Sequence, residues 1–441
     1  MKLSHLKSGM FQLSFFSKLN LQEQDAFRKH LVYVLIEGVI LGVLALNEFV
    51  FVKSLQGSNY QLGFLFQFSM VLFTFLVLIN EFLKRIKNRK KLLRVVAWVT
   101  RLPLAFIWFF PHSAAELHAH PWFHYVFLGL FLLYFTGNIF IYPNINLLLK
   151  NSYSHHNFGK LYSYATSMNK IVMLVVTFVY GYLLDINNFA FVYVFPVVAI
   201  LGVISLYKLS SIPFPESQQV IVRSGIWTSV KKSVSEMSSI LKRNVTYRHF
   251  EMGFMLYGFS FMISVTVITL YFYDALNLNY SSVAFYKNAY NILAIVLLPF
   301  FGKLLGKIDP RKFAAFTFGS VGMYIFSVMI TRWFPEHFMV FDVTIYYTLL
   351  FYILFHGIFA ASMSLLWNIG SAYFCKPEEA GTYQSLHLSL TGIRGIPAPL
   401  LGVFFYEQFG FTITFFLAFL FSMGAVGLML WSARVEGFSK V

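Results

Sequence analysis

Apolar residues run through this 441-residue chain in blocks too long for the core of a water-soluble domain, with short polar breaks between them. A helix needs roughly 20 apolar residues to cross the hydrocarbon of a bilayer. Twelve windows approach or exceed that length: 30–54, 61–83, 95–112, 122–149, 161–184, 188–208, 249–273, 281–303, 313–331, 343–370, 382–406 and 411–432. Six precede and six follow the least hydrophobic stretch, Lys208 to Arg248, which carries seven Lys or Arg residues against Glu216 and Glu236. The pattern predicts an all-α polytopic membrane protein with twelve transmembrane helices in two six-helix halves, 30–208 and 249–432, joined by a linker at 209–248. Residues 1–29 then form an N-terminal segment and 433–441 a tail. Within the linker, Ser229 to Ile240 is expected as an amphipathic helix on the inner leaflet, with Val230, Val234 and Met237 on one side.

Composition agrees with a lipid medium: 58% of residues are hydrophobic, 54 are Phe, and only 12% are charged, against about 25% charged in soluble domains. The net charge of +16 would suit nucleic acid, but its distribution points elsewhere. With the N-terminus inside, only Lys53 and Arg332 fall on outer loops and only Arg101, Lys170, Lys287 and Arg394 fall within spans, leaving 28 of the 34 Lys and Arg on the inner side. This is the positive-inside rule, and it places both termini in the cytoplasm, with a bacterial inner membrane the expected location. The basic residues report orientation, so no nucleic-acid partner is expected. Cys375 is the one cysteine, which excludes an internal disulfide or a cysteine-cluster metal site. Residues 1–29 lack the apolar core and cleavage site of a removable signal peptide.

The halves repeat one another. A shift of 220 places Gly38 on Gly258 and Asn59-Tyr60 on Asn279-Tyr280; a shift of 222 places Asn146 on Asn368, Gly159 on Gly381 and Ser163 on Ser385. Between the second and third spans of the second half runs Gly302-Lys303-Leu304-Leu305-Gly306-Lys307-Ile308-Asp309-Pro310-Arg311-Lys312. It resembles the loop signature of the major facilitator superfamily, G-x-L-x-D-R-x-G-R-K. The matching first-half loop, Asn80 to Lys91, keeps the basic pattern, lacks both glycines, and has Lys84 where the signature is acidic. The resemblance implies two pseudo-symmetric bundles, a cavity lined by the first and fourth helices of each half, and alternating access about a site near the midplane. It also implies a conformational role for Gly302, Asp309 and Arg311.

Helices expected to line that cavity carry polar stripes at four-residue spacing, which stacks side chains on one face. The fourth span has Tyr134, Asn138, Tyr142 and Asn146; the tenth has Tyr352, His356, Ser364 and Asn368; the first has Tyr33 and Glu37, with Glu48 three turns on. Stripes of this kind also serve as hydrogen-bonding glue between membrane helices. Ionisable residues inside spans are costly and need a compensating role. Glu37 is the candidate proton-coupling carboxylate, able to take up and release a proton as the cavity opens to each side, or else to pair with a buried cation. Arg101 reads as structural, because the third helix lies at the bundle periphery in the family resembled. Lys170, Lys287 and Arg394 fall on the fifth, eighth and eleventh spans, which meet between the halves in that family. Together with Asn291 and Arg394's neighbour His387 they are candidates to hold an anion, Arg394 through a two-point fork; pairing with Glu37 is the alternative. The expected substrate-binding set is therefore Asn138, Tyr142, Lys170, Lys287, Asn291, Tyr352, His356 and Arg394.

Gly392, Gly395, Pro397 and Pro399 interrupt the eleventh span, where a kink serves either a gate or close packing; Gly392 and Pro397 are the conformational candidates. His112, His118, His120, His124 and Glu116 gather in an outer loop with no cysteine, and no metal site or cofactor is expected. The chain has no G-x-x-x-x-G-K-[ST], H-E-x-x-H or G-x-S-x-G motif, so it is read as no enzyme. Two functions stay open. One is a secondary active transporter of a small organic solute, an anion among the options, coupled to a proton or another ion. The other is a lipid-handling flippase or a non-transporting sensor of the same fold. Expected partners are a small-molecule substrate, membrane lipids and the coupling ion, with the protein a monomer.

Overall fold

The computed structural model describes residues 19–83, 85–86, 88–153, 155–212, 225–305, 307–376 and 379–435. Residues 1–18, Lys84, Lys87, Ser154, 213–224 of the linker, Gly306, Pro377, Glu378 and 436–441 of the tail lie outside the described residues. In chain order the elements are α1 (Leu21–Leu44), α2 (Asn47–Lys53), α3 (Asn59–Thr74), α4 (Leu76–Leu83), α5 (Arg89–Thr100), α6 (Ala114–Ala119), α7 (Trp122–Ser152), α8 (His155–Ile186), α9 (Phe191–Ser210), α10 (Ile226–Arg243), α11 (Val245–Leu270), α12 (Tyr280–Leu305), α13 (Pro310–Ile330), β1 (His337–Val340), β2 (Val343–Tyr346), α14 (Tyr347–Ile369), α15 (Ala380–Gly395) and α16 (Ala398–Val435).

Among the described residues, ten helical runs are long and apolar enough to cross a membrane. Two further passages are concealed by breaks. The second expected span is split at Phe75 into α3 and α4. The last run, Thr382–Val435, has 54 residues; at about 1.5 Å per residue it far exceeds the roughly 30 Å of hydrocarbon. Gly410 reverses it with φ 76° and ψ 178°, a backbone conformation open to glycine and costly for a residue with a Cβ. Before the reversal Glu407 accepts a hydrogen bond from Asn59 (3.2 Å); after it Ser432 meets Arg311 (2.7 Å) at the opposite end of the helices. The fold accommodates the twelve spans expected, with α10 marking what is called here the linker end.

Local chemistry moves several boundaries. Asn20 caps α1 reciprocally with Glu23 (2.7 and 3.4 Å), so the first helix begins at Leu21 rather than at residue 30. It breaks at Ala45 before α2 resumes the span. The third passage begins as α5 and tightens at Arg101 into a 3-10 segment, Leu102–Phe109, because Pro103 has no N–H for the α ladder. The tenth window loses Val343–Tyr346 to a β-hairpin that the all-helical expectation did not contain. The linker helix is longer than expected, and Met237 and Ile240 are its buried residues, packed toward α4, α11 and α15. Val234, assigned to the same face as Met237 in the sequence, is exposed: the docked face follows Met237 and Ile240.

The signature loop locks the linker end of the second half. Asp309 caps α13 by accepting from Arg311 N (2.8 Å) and grips the same residue's guanidinium at Nε (3.2 Å) and Nη2 (2.8 Å). Arg311, fully buried, sends Nη1 on to the Ser432 carbonyl and hydroxyl at 2.7 and 3.1 Å. One side chain thus ties the start of α13 to the end of α16. In the first half Arg94 Nε donates to Ser210 Oγ (3.3 Å) and Arg89 to Asn144 Oδ1 (3.1 Å). The 222-residue shift that aligns the halves superposes Ser210 on Ser432, so each half returns an arginine to the same position. Gly302 has open space where a Cβ would stand, and no close approach here requires a glycine.

Among the described residues the halves are joined by a series of polar contacts away from the linker end. The Asp185 carboxylate accepts from the backbone N–H of Tyr280 (2.8 Å) and Ser281 (2.7 Å), capping α12 from the other half of the chain. Ser54 Oγ meets Tyr280 OH (2.5 Å), and Asn288 Nδ2 donates to Leu174 O (2.9 Å). Gln67 donates to Ile396 O at the α15–α16 break, the carbonyl next to Pro397. Gly392 packs so closely that a Cβ would stand 2.4 Å from Thr74 N, and one at Gly395 2.6 Å from Met70 Cβ. The glycines of the eleventh span are where α15 touches α3.

Candidate functional site

Arg101 closes α5, and the tightening of the chain beyond it turns the side chain into the first half's core. Gly202 on α9 makes room: a Cβ there would stand 3.1 Å from Arg101 Cβ and Cγ. The guanidinium donates from Nη1 to Tyr134 O (2.7 Å) and from Nη2 to Asn138 Oδ1 (2.8 Å), and lies over the Tyr134 ring, 3.8 Å from its centre. Glu37 on α1 accepts from Ser205 Oγ on α9 (2.6 Å) and lies within electrostatic reach of Arg101, as do Tyr33 and Tyr142. Four helical segments thereby converge on one carboxylate and one guanidinium at mid-span. Arg101, read as peripheral from its position in the chain, is what holds Asn138. Of the stripe on α7, Tyr134 is buried beneath Arg101 and Tyr142 is exposed; the side chain of Asn146 is not described.

The second half has its own buried pair. Glu251 on α11 accepts from His387 Nδ1 on α15, with both carboxylate oxygens 3.1 Å from the ring nitrogen. The two side chains are 4% and 1% exposed, a depth at which a carboxylate is rarely found without a partner. Two turns along α15, Arg394 donates to Phe254 O and faces the Tyr257 ring at 5.3 Å. It fits because of Gly258, where a Cβ would fall 2.1 Å from the guanidinium carbon. His387 Nε2, Thr391 Oγ1 and Arg394 Nε are buried without partners along this face. Glu251 was missed in the sequence because it lies near the start of the seventh span, where a carboxylate reads as a helix-end residue. No residue spacing connects it with His387, 136 positions away.

The His356 ring is stacked between two tyrosines: 3.8 Å and 8° from Tyr290 on α12, 4.5 Å and 13° from Tyr324 on α13. Tyr352 meets it edge-on at 5.1 Å, and His356 Nδ1 is buried without a partner. Asn291 turns its amide to Lys287 O (2.7 Å) on its own helix, and Asn368 does the same to Ser364 O (2.7 Å). Lys287, expected beside an anion, crosses between the halves instead. It donates to Ala45 O, the carbonyl exposed by the break after α1, and pairs with Glu48 at 3.6 Å. Lys170, half-buried on α8, makes no ion pair or hydrogen bond among the described residues.

The loop histidines go to separate places: His112 to Tyr193 OH (3.3 Å) and His124 Nε2 to Leu55 O (2.6 Å). No group of three or more His, Cys, Asp or Glu able to hold a metal occurs among the described residues; the side chain of His118 is not described.

Two helical halves meeting around mid-span polar clusters, with Arg311 locking the signature loop, define the architecture to be matched. Residues 31–345 match the Major Facilitator Superfamily. This chain belongs to that superfamily. No curated protein matches it. Among solved structures, a variant of the nucleoside transporter NupG aligns over 93% of this chain and 100% of its own, with 12% identity and a TM-score of 0.66. The tetrameric PepTSo2 aligns over 94% and 100%, with 14% identity and a TM-score of 0.63. A D-xylose-proton symporter aligns over 92% and 96%, with 14% identity and a TM-score of 0.60. At such identities the likeness is one of fold. This superfamily member is an integral membrane protein and a transporter of the secondary type, and neither family nor neighbours point to an enzyme.

Proposed function

We propose that this member of the superfamily carries a small organic solute by alternating access with proton coupling, working as a monomer with both termini cytoplasmic in a bacterial inner membrane. The observation that carries coupling is a pair of carboxylates inside the helical halves, one in each: Glu251 is buried and Glu37 partly buried. Glu37 is held by Ser205 near Arg101, and Glu251 by His387. A carboxylate kept from water has two stable states, protonated or compensated by a cation, and movement of the halves changes which one is favoured. The cytoplasmic placement of the linker end follows from the charge distribution. The contacts of Asp185, Ser54, Lys287 and Gln67 across the seam then describe a carrier closed to the outside. In this reading Lys287 and Glu48 latch the outer side.

In this reading the substrate is met by Tyr142, Asn138, His356, Asn291 and Lys170, with Tyr352 buried against the His356 ring. Arg394 and Lys287 are engaged by protein groups, so the anion reading rests on Lys170. Uptake into proteoliposomes with an imposed pH gradient tests the coupling, with uridine, dialanine, xylose and succinate as solutes. Accumulation of at least one is expected to follow the gradient. Glu37→Gln is expected to abolish gradient-driven accumulation and keep exchange of that solute across the membrane. Accumulation indifferent to both the gradient and the substitution would reject proton coupling. For the anion, succinate is expected to raise the unfolding temperature of the parent by mass action and to do so at least tenfold less potently in Lys170→Gln. Stabilisation by the neutral solutes alone would remove that reading.

A further inference from the structure

β1 and β2 form a hairpin between α13 and α14, turned by Phe341 and Asp342, both with left-handed φ (45° and 62°). Such two-residue turns favour Asn or Gly, and a bulky residue at positive φ is uncommon. Here the position holds a phenylalanine that is 97% exposed, preceded along β1 by Met339 at 62% and by Val340, also exposed. The turn thus keeps an unfavourable residue whose ring stays almost wholly exposed among the described residues.

The height of the tip is set by α12. Asn279 Nδ2 donates to Asp342 O (2.8 Å), Thr344 N to Ser282 Oγ (2.9 Å), and Tyr346 N to Tyr286 OH (2.9 Å). The strand therefore lies alongside the first two turns of α12, with the tip level with the start of a membrane-crossing helix instead of standing above it. Its apolar surface is continuous with lipid-facing surface: Phe338 contacts Tyr347 (5.4 Å between rings), from which exposed Leu350 and Phe351 continue along α14.

We propose that this hairpin is a lipid-binding element, its Met339–Phe341 tip seated at the boundary of headgroups and acyl chains in the outer leaflet. The partner is the bilayer itself, favoured over a second copy of the chain by the continuity of the tip with the lipid-facing side of α14. Aromatic and apolar side chains at that depth anchor membrane proteins at the interface. The hairpin braces α12 where Tyr280 and Ser281 meet Asp185 of the first half, so leaflet contact steadies the helix that closes the outer side.

Cys375 is the chain's one cysteine and is 5% exposed, so the parent protein is the labelling control. Phe341→Cys and, at an exposed turn of the same end, Asn187→Cys would each carry a nitroxide in nanodiscs of phosphatidylcholine and phosphatidylglycerol. The label at 341 is expected to collide several-fold more often with oxygen than with a water-soluble nickel complex, and the label at 187 the reverse. Equal nickel access at both positions would overturn the proposal. So would protection at 341 that appears only when two protein copies share a disc, which would assign the tip to a protein partner. Met339→Asp, which leaves the strand's backbone bonds in place, is expected to lower the unfolding temperature in nanodiscs and leave it unchanged in detergent. An unchanged value in both media would again count against lipid contact.

Discussion

Arg311→Ala is expected to destabilise the protein by about 3–5 kcal/mol, the usual cost of removing one partner from a buried ion pair. The loss is large because one enclosed side chain does three jobs. It neutralises Asp309 through two bonds, it satisfies the Ser432 carbonyl, and it joins the start of α13 to the end of α16. Arg311→Lys keeps the charge as a point without the fork, and is expected to recover only part of the stability. Thermal unfolding of the three proteins in one detergent checks this. An alanine variant that melts with the parent would show that the lock carries no stability.

Gly392→Ala is expected to drive the halves apart along the seam. The added methyl would stand 2.4 Å from Thr74 N and 2.9 Å from Thr74 Cα, backbone atoms of the other half that cannot swing aside. Overpacking of this kind costs about 1–3 kcal/mol, which depopulates the present conformation about 5- to 150-fold if another avoids the clash. Spin labels at Asn59→Cys and Glu407→Cys, whose side chains now touch across the seam, read the change as a longer distance distribution. Gly302→Ala, placed where a Cβ meets nothing, is the matched control. Identical distributions in all three proteins would mean that the Gly392 contact does not control closure.

These two positions show how legible the chain is. Asp309 and Arg311 stand two residues apart in a recognisable loop, so their pairing is local and open to reading. Their tie to Ser432 is not local, although the repeat offset relates that residue to Ser210. Gly392 could be recognised as a helix interruption, but whether it serves a bend or a contact depends on what lies opposite, and Thr74 is more than 300 residues away. The candidate site divides in the same way. Glu37 beside Tyr33 on the first span, and the stripe of Tyr134, Asn138 and Tyr142 on the fourth, each follow from helical spacing within a single span. Arg101 joins that site because Pro103 redirects the chain after it and Gly202 leaves a channel beside it. Glu251, a residue close to a helix end in sequence, becomes half of a deeply buried pair when α15 lies against α11.

What the sequence by itself determined was the medium and the all-helical membrane fold, and it set the expectation for the number and direction of the crossings. Lipid cannot satisfy backbone groups, so each long apolar block must become helix, and the asymmetry of Lys and Arg orients the set. Which charges serve as partners to one another was decided by the tertiary structure. Lys287 and Arg394 looked free to hold an anion when each was seen on its own helix. Folding gives Lys287 the broken end of α1 and Glu48, gives Arg394 a carbonyl beside Gly258, and leaves Lys170 without an ion-pair or hydrogen-bonding partner among the described residues. The physical reason is that, inside a membrane, desolvation makes an unmatched charge so costly that its nearest polar group, whichever helix supplies it, sets its role.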